Sequence, residues 1–140
     1  MGYSTTVRQT LNTYAASDNV LIDDSAVDST ASKGVYVKLK EIKLNSDIEA
    51  SSLFRFKFDL RCPIADGYAR IYRNGVAVGS IQTVSGTGAA YVTKTEDIIT
   101  TNWVIGDLIQ LYAMYDGFGV DTCYVKDFQI CGTPSEWVIM

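Results

Sequence analysis

The stretch Leu53-Phe54-Arg55-Phe56-Lys57-Phe58-Asp59-Leu60-Arg61-Cys62 alternates apolar and charged or polar residues without a break. In an extended chain successive side chains point to opposite faces, so Phe54, Phe56, Phe58, Leu60 and Cys62 share one side while Arg55, Lys57, Asp59 and Arg61 share the other. One dry face and one wet face describe a strand of an antiparallel sheet covered on one side only. The rest of the fold must supply that cover.

Other segments repeat the pattern. Val35-Tyr36-Val37-Lys38-Leu39-Lys40-Glu41-Ile42-Lys43-Leu44 places Val35, Val37 and Leu39 on one face and then changes phase near Glu41, which predicts a bulge or bend. Asn74-Gly75 sits between two alternating runs, and both residues tolerate the positive φ of a two-residue hairpin loop. The register expected from that loop sets Arg73 opposite Val76, Tyr72 opposite Ala77, Ile71 opposite Val78 and Tyr68 opposite Ile81. Further strands are expected at Ala90–Asp97, Leu108–Met114 and Tyr124–Ile130. Turns at Ser85-Gly86-Thr87-Gly88, Ile105-Gly106-Asp107 and Asp116-Gly117-Phe118-Gly119 separate them. In the last of these strands the apolar phase slips between Val125 and Phe128, as it does around one extra residue in a ladder. Seven or eight short strands at this spacing predict an all-β chain, an antiparallel β-sandwich of jelly-roll-like form.

Residues 1–34 differ in composition, being rich in Ser, Thr, Asp and Ala with one apolar stretch at Val20-Leu21-Ile22. They read as an extended N-terminal arm, which lies either on its own domain or on a neighbour's, and residues 35–140 as the sandwich. Val7 and Leu11 are the apolar positions early in the arm, and Trp137-Val138-Ile139-Met140 is an apolar tail. These residues, with Val20, Leu21 and Ile22, are the candidate assembly contacts. A faint internal echo relates Tyr36-Val37 with Glu41 to Tyr91-Val92 with Glu96, an offset of 55, as two equivalent strands of a pseudo-symmetric sandwich would be related.

The chain has no histidine, which removes Ser-His-Asp and Cys-His nucleophile activation, imidazole acid–base work and the commonest transition-metal ligand. Gly86 and Gly88 lack the following Lys and helix of a phosphate loop. Asp116, Gly117 and Asp121 carry oxygens that suit Ca²⁺, yet their spacing matches no EF-hand and a solvated turn is the expectation. Neither an enzyme nor a cofactor is therefore expected. A net charge of −4 with dispersed basic residues argues against nucleic acid, and Arg70 with Arg73 reads as a solvated pair. No run approaches the roughly 20 apolar residues that span a bilayer, and no signal peptide is visible after Met1.

Cys62, Cys123 and Cys131 are too few and too irregular for a zinc site or a disulfide scaffold. An extended Cys123–Cys131 strand holds its ends roughly 26 Å apart, beyond disulfide reach, so any bridge uses Cys62. Antiparallel pairing of Phe54–Cys62 with Cys123–Cys131 sets Cys62 against Cys123. The alternatives are that bridge or three buried free thiols. Tyr68, Tyr72 and Tyr112 lie on strands where alternation turns some of them outward, as either cross-strand packing or a stacking platform for sugars.

The segments Tyr68–Gly79, Tyr91-Val92 with Glu96-Asp97, Gly106–Ala113 and Tyr124–Ile130 together resemble the β-sandwich modules in tail-fibre and surface proteins of phages and archaeal viruses. The likeness covers about residues 35–131. It implies a non-enzymatic, often oligomeric exterior component, in a virion or an extracellular filament, whose partners are other copies of itself. Similar strand patterns in carbohydrate-binding modules imply a surface glycan as the alternative partner. The resemblance carries over no catalytic residue.

Overall fold

The computed structural model describes residues 8–9, 14–45, 51–134 and 138–139. Its strands are β1 (Arg8–Gln9), β2 (Tyr14–Asp24), β3 (Asp28–Thr30), β4 (Val37–Lys43), β5 (Ser51–Arg61) and β6 (Asp66–Arg73). They continue as β7 (Val76–Ala77), β8 (Gln82–Ser85), β9 (Val92–Trp103), β10 (Leu108–Asp116), β11 (Cys123–Pro134) and β12 (Val138–Ile139). No helix among the described residues is long and apolar enough to cross a membrane.

Two antiparallel sheets pack face to face. The first runs β2-β11-β5-β9, with β3 also on β11; the second runs β4-β10-β6-β7, with β8 also on β6. From β2/β3 to β4, β5 and β6 the chain changes sheet at every step; after β7 and β8 it does so again through β9, β10 and β11. That winding, with the last long strand inserted between the first and the third, is the jelly-roll order. Each sheet is built alike: one edge of a single strand, two central strands and one edge made of two strands. β4 and β9, which carry the internal echo, are the single-strand edges of opposite sheets.

The inner faces obey the alternation read from the sequence. Phe54, Phe56, Phe58, Leu60 and Cys62 are all at most 1% exposed, while the charged residues between them stay half-buried on the other side. Each buried phenylalanine is worth roughly 1.5–3 kcal/mol of transfer free energy. Trp103 closes this core, its ring 5.3 Å from Phe56 and 6.4 Å from Phe54, with its Nε1–H donating to the Ile98 carbonyl at 3.4 Å. Opposite them, Ile71, Ile109, Leu111 and Ala113 come from the second sheet.

Both expected phase shifts are bulges. In β4 Leu39 is the extra residue between Lys38, which faces Tyr112, and Lys40, which faces Leu111. In β11 two residues lie between Lys126 and Gln129 where β5 has one between Asp59 and Lys57, and Asp127 takes a φ of 51° there. Asn74 and Gly75 both have positive φ, and Arg73 pairs with Val76 and Tyr72 with Ala77 as expected. Beyond that the expected register fails. The N–H groups of Val78 and Gly79 both donate to the Ile71 carbonyl, and the register slips by two residues beyond them, so that Tyr68 pairs with Thr83 rather than Ile81.

The Ser/Asp-rich segment is a working part of this sandwich. β2 and β3 lie antiparallel on β11, with Ile22 against Ile130 and Val20 against Cys131. Leu21 and Ile22 pack on the core, whereas Val20 is 45% exposed. Phase reversal after Leu39 turns Lys40 inward, and its ammonium, buried between the sheet edges, meets Asp24 at 3.0 Å and Asp28 at 2.8 Å. Desolvation offsets much of the attraction in such a triad, but loss of one partner leaves an uncompensated charge. The triad therefore fixes where β2 and β3 sit against β4.

Candidate binding face

The two outer faces differ in kind. On the first sheet, Arg55 makes a two-pronged contact with Asp97 at 2.7 and 3.1 Å and a third bond to Asp18 at 3.1 Å. Lys57 lies 3.5 Å from Asp18, Asp59 accepts from the Thr93 hydroxyl at 2.7 Å, and Arg61 stacks 3.8 Å over Tyr124. Charge meets charge along this surface, which makes it a solvated face.

The second sheet presents tyrosines. Cross-strand partners point the same way, so its register yields four outward rungs: Glu41-Gln110-Tyr72-Ala77, Lys38-Tyr112-Arg70, Met114-Tyr68-Thr83 and Asp116-Asp66-Ser85. Tyr68, Tyr72 and Tyr112 thus share one face. Tyr72 and Tyr112 stack diagonally, with centroids 4.0 Å apart and planes 25° apart. Gln110 braces them: its Nε2 donates to Glu41 at 2.9 Å and its Oε1 accepts from the Gly75 N–H at 2.8 Å. Arg70 donates to the Gly79 carbonyl at 2.6 Å, and Arg73 pairs with Asp107 at 2.8 Å, so the two arginines do not act as one basic patch.

Tyr36 was not singled out as a site residue by the sequence. It stands one step beyond the Val37–Ala113 pair, and its hydroxyl is buried without a hydrogen-bond partner among the described residues. Burial pushes this phenol's pKa up. At the β6–β8 margin the same sheet carries an open depression of about 400 Å³ lined by Asp66, Tyr68, Thr83, Val84 and Ser85.

Each end of the sandwich is tied by a buried aspartate. Asp107 accepts from Asn74 Nδ2 at 3.0 Å and the Val104 N–H at 2.9 Å. At the other end Asp121, 7% exposed, accepts from the N–H groups of Ile64 at 2.8 Å and Ala65 at 2.7 Å and from the Cys62 thiol at 3.2 Å. Asp116, exposed, accepts from the Gly117 N–H at 2.8 Å within its turn. Among the described residues no group of three or more Cys, Asp or Glu side chains is placed to hold a metal ion. The loops that Asp121 joins hold three exposed apolar side chains, Ile64 at 75%, Val120 at 84% and Phe118 fully in solvent.

Burial drives the Asp121 pKa upward, yet its hydrogen bonds from the Ala65, Ile64 and Thr122 N–H groups and the Cys62 thiol outweigh this and hold it at about 2. A carboxyl whose folded pKa lies below its unfolded value of 3.8 adds stability above that value and loses it as pH falls toward 2. The contribution is about 2 kcal/mol. Urea unfolding at pH 6 and pH 2.5 is expected to show a smaller acid loss in Asp121→Asn than in the parent chain. An equal loss in both would assign acid sensitivity to other groups.

Of the two alternatives for the cysteines, the structure takes the second: all three are free and buried. Cys62 and Cys123 do meet, since Tyr124 pairs with Arg61 and the next rung joins the two thiol residues. The Cys62 thiol donates to Asp121 at 3.2 Å and also lies within hydrogen-bond reach of the Cys123 thiol. Burial, then Asp121, pushes the Cys62 thiol up to about 12, and burial pushes Cys123 up to about 11. Both stay protonated at neutral pH and are inert packing.

The candidate assembly residues are scattered. Val7, Leu11 and Trp137 lie outside the described residues; Val138 and Ile139 form β12, which pairs with β1. No family model matches the chain, and no curated protein matches it.

Proposed function

We propose that the protein is a non-enzymatic structural module of a virion or extracellular assembly, a jelly roll that meets further copies of itself through the loop end at Ile64, Phe118 and Val120. The observation that carries this reading is a fully solvent-exposed Phe118 on loops pinned by Asp121. Interfaces draw most of their energy from a few large side chains held on rigid supports, and an exposed aromatic of this kind is such an anchor. That β2 and β3 lie on β11 of the same chain supports seeking the contact at the loop end rather than in residues 14–30. Light scattering at high concentration tests the reading. Oligomers are expected for the parent chain, with association weakened at least about tenfold in Phe118→Ser. A strict monomer, or oligomers indifferent to Phe118→Ser and Val120→Ser, overturns it.

A second reading, glycan recognition, is favoured by the tyrosines of the second sheet. Aromatic rings on a flat face stack on sugars at small entropic cost. A glycan array separates the readings, since assembly alone yields no sugar signal and recognition yields one lowered by at least one of Tyr68→Ala, Tyr72→Ala and Tyr112→Ala.

A further inference from the structure

We infer that the depression at the β6–β8 margin is a binding subsite for a neutral sugar, with Tyr68 as its stacking ring and Asp66 as its principal hydrogen-bond acceptor. The inference rests on the glycan reading of the second sheet and fixes where on that sheet, and for which sugars. Asp66 and Tyr68 are two residues apart on β6 and point outward together, roughly 7 Å apart at about 3.3 Å per residue. Ser85 and Thr83 stand directly across from them on β8. The four side chains form a tile about as wide as a pyranose ring, with one aromatic corner and three oxygen-bearing corners.

The corners are prepared for hydroxyl groups. Ser85 Oγ donates to Asp66 Oδ1 at 2.5 Å, which fixes the carboxylate. Among the described residues Asp66 Oδ2, the Thr83 hydroxyl and the Tyr68 hydroxyl take no partner, and none of them is buried. A carboxylate held by one neighbour and open on its other oxygen is a strong acceptor for a sugar hydroxyl, because a hydrogen bond to an ionised group is about twice as strong as a neutral one. Val84, between Thr83 and Ser85 on β8, completes the lining while its side chain packs into the core. A volume of about 400 Å³ suits one or two sugar rings rather than a long chain.

Charge sets the class of sugar. Asp116 lies on the same outward rung as Asp66, and the nearest cation on β6, Arg70, is committed to the Gly79 carbonyl. A sialylated or sulfated glycan would bring its anion against two carboxylates on one rung, while the cation of Arg70 stands two rungs away. A neutral hexose meets no such barrier.

The full-length chain, probed on an array of neutral, sialylated and sulfated oligosaccharides, tests the assignment, with hits confirmed by calorimetry. Neutral sugars are expected to bind, with a loss of about tenfold or more in both Asp66→Asn and Tyr68→Ala and a change within about twofold in Tyr112→Ala. Asp66→Asn keeps the size of the side chain, so it reads the acceptor even if Tyr68→Ala disturbs the strand; circular dichroism of each variant reports that. Sugar binding lost in Tyr72→Ala or Tyr112→Ala but intact in Asp66→Asn and Tyr68→Ala overturns the subsite and leaves the glycan reading of the sheet standing. A preference for sialylated or sulfated sugars overturns the assigned class. Absence of binding to any sugar overturns subsite and glycan reading together.

Discussion

Phe56→Ala is expected to lower the stability of this chain by about 3–5 kcal/mol, a large part of the roughly 5–15 kcal/mol that holds a domain together. Phe56 is 0% exposed and lies in the middle of β5, a central strand of the first sheet, with its ring against Trp103 and Phe54. Truncation removes transfer free energy and leaves a hole that two rigid aromatic neighbours cannot fill. Urea unfolding measures it as a lower midpoint at unchanged slope, with Phe56→Leu recovering most of the loss. A cost below about 1 kcal/mol would mean that Trp103 does not close the core as described.

Gly67→Ala is expected to be damaging as well, although it adds a single methyl group. Gly67 has an ordinary backbone conformation, so the obstacle is space alone. A Cβ there would sit 2.7 Å from Cys62 Cβ, 3.0 Å from Val84 Cγ2 and 3.3 Å from Cys123 Sγ. Overpacking of this kind costs about 1–3 kcal/mol. The tightest contact is with a Cβ fixed to the backbone of β5's end, so neither Val84→Ala nor Cys123→Ala should restore more than a fraction in the double variants. Full rescue by Val84→Ala would show that the two sheets are not clamped at Cys62.

What the sequence discloses and what it hides divide along a physical line. β5 is legible because one face is fully buried and every second residue must be apolar. The bulges of β4 and β11 are legible for the same reason, since a break in phase has no other economical cause. β9 is hidden after Asp97: Thr100, Thr101 and Asn102 carry no apolar alternation, so nothing local announces that the strand continues to Trp103 and delivers the largest core side chain. Residues 14–30 read as an arm because β2 is an edge strand of mixed polarity, and its pairing with β11 depends on residues more than a hundred positions away.

The candidate face was half visible. Period-two alternation alone places Tyr68 and Tyr72 on one side of β6, and the same argument for β10 adds Tyr112. The subsite was not visible, because it depends on the register slip at Val78 and Gly79. With an unbroken hairpin Asp66 would face Thr83; the slip brings Ser85 to it instead. That slip is set by contacts from another sheet. Glu96 of β9 accepts from the Ser80 N–H at 2.8 Å, and a side chain at Gly79 would come within 2.9 Å of the Glu96 carboxylate. Such a capture across the molecule leaves no local trace.

The jelly-roll winding also dictates an order of events. β11 occupies the centre of the first sheet, between β2 and β5, yet it leaves the ribosome after both. Until then β2 and β5 present open hydrogen-bonding edges to each other and to any passing chain. Nascent material is therefore most vulnerable to sticking just before β11 is threaded home, and pairings this remote in sequence are slow to form. Production of this protein should reward slow synthesis and low temperature more than any change to its surface.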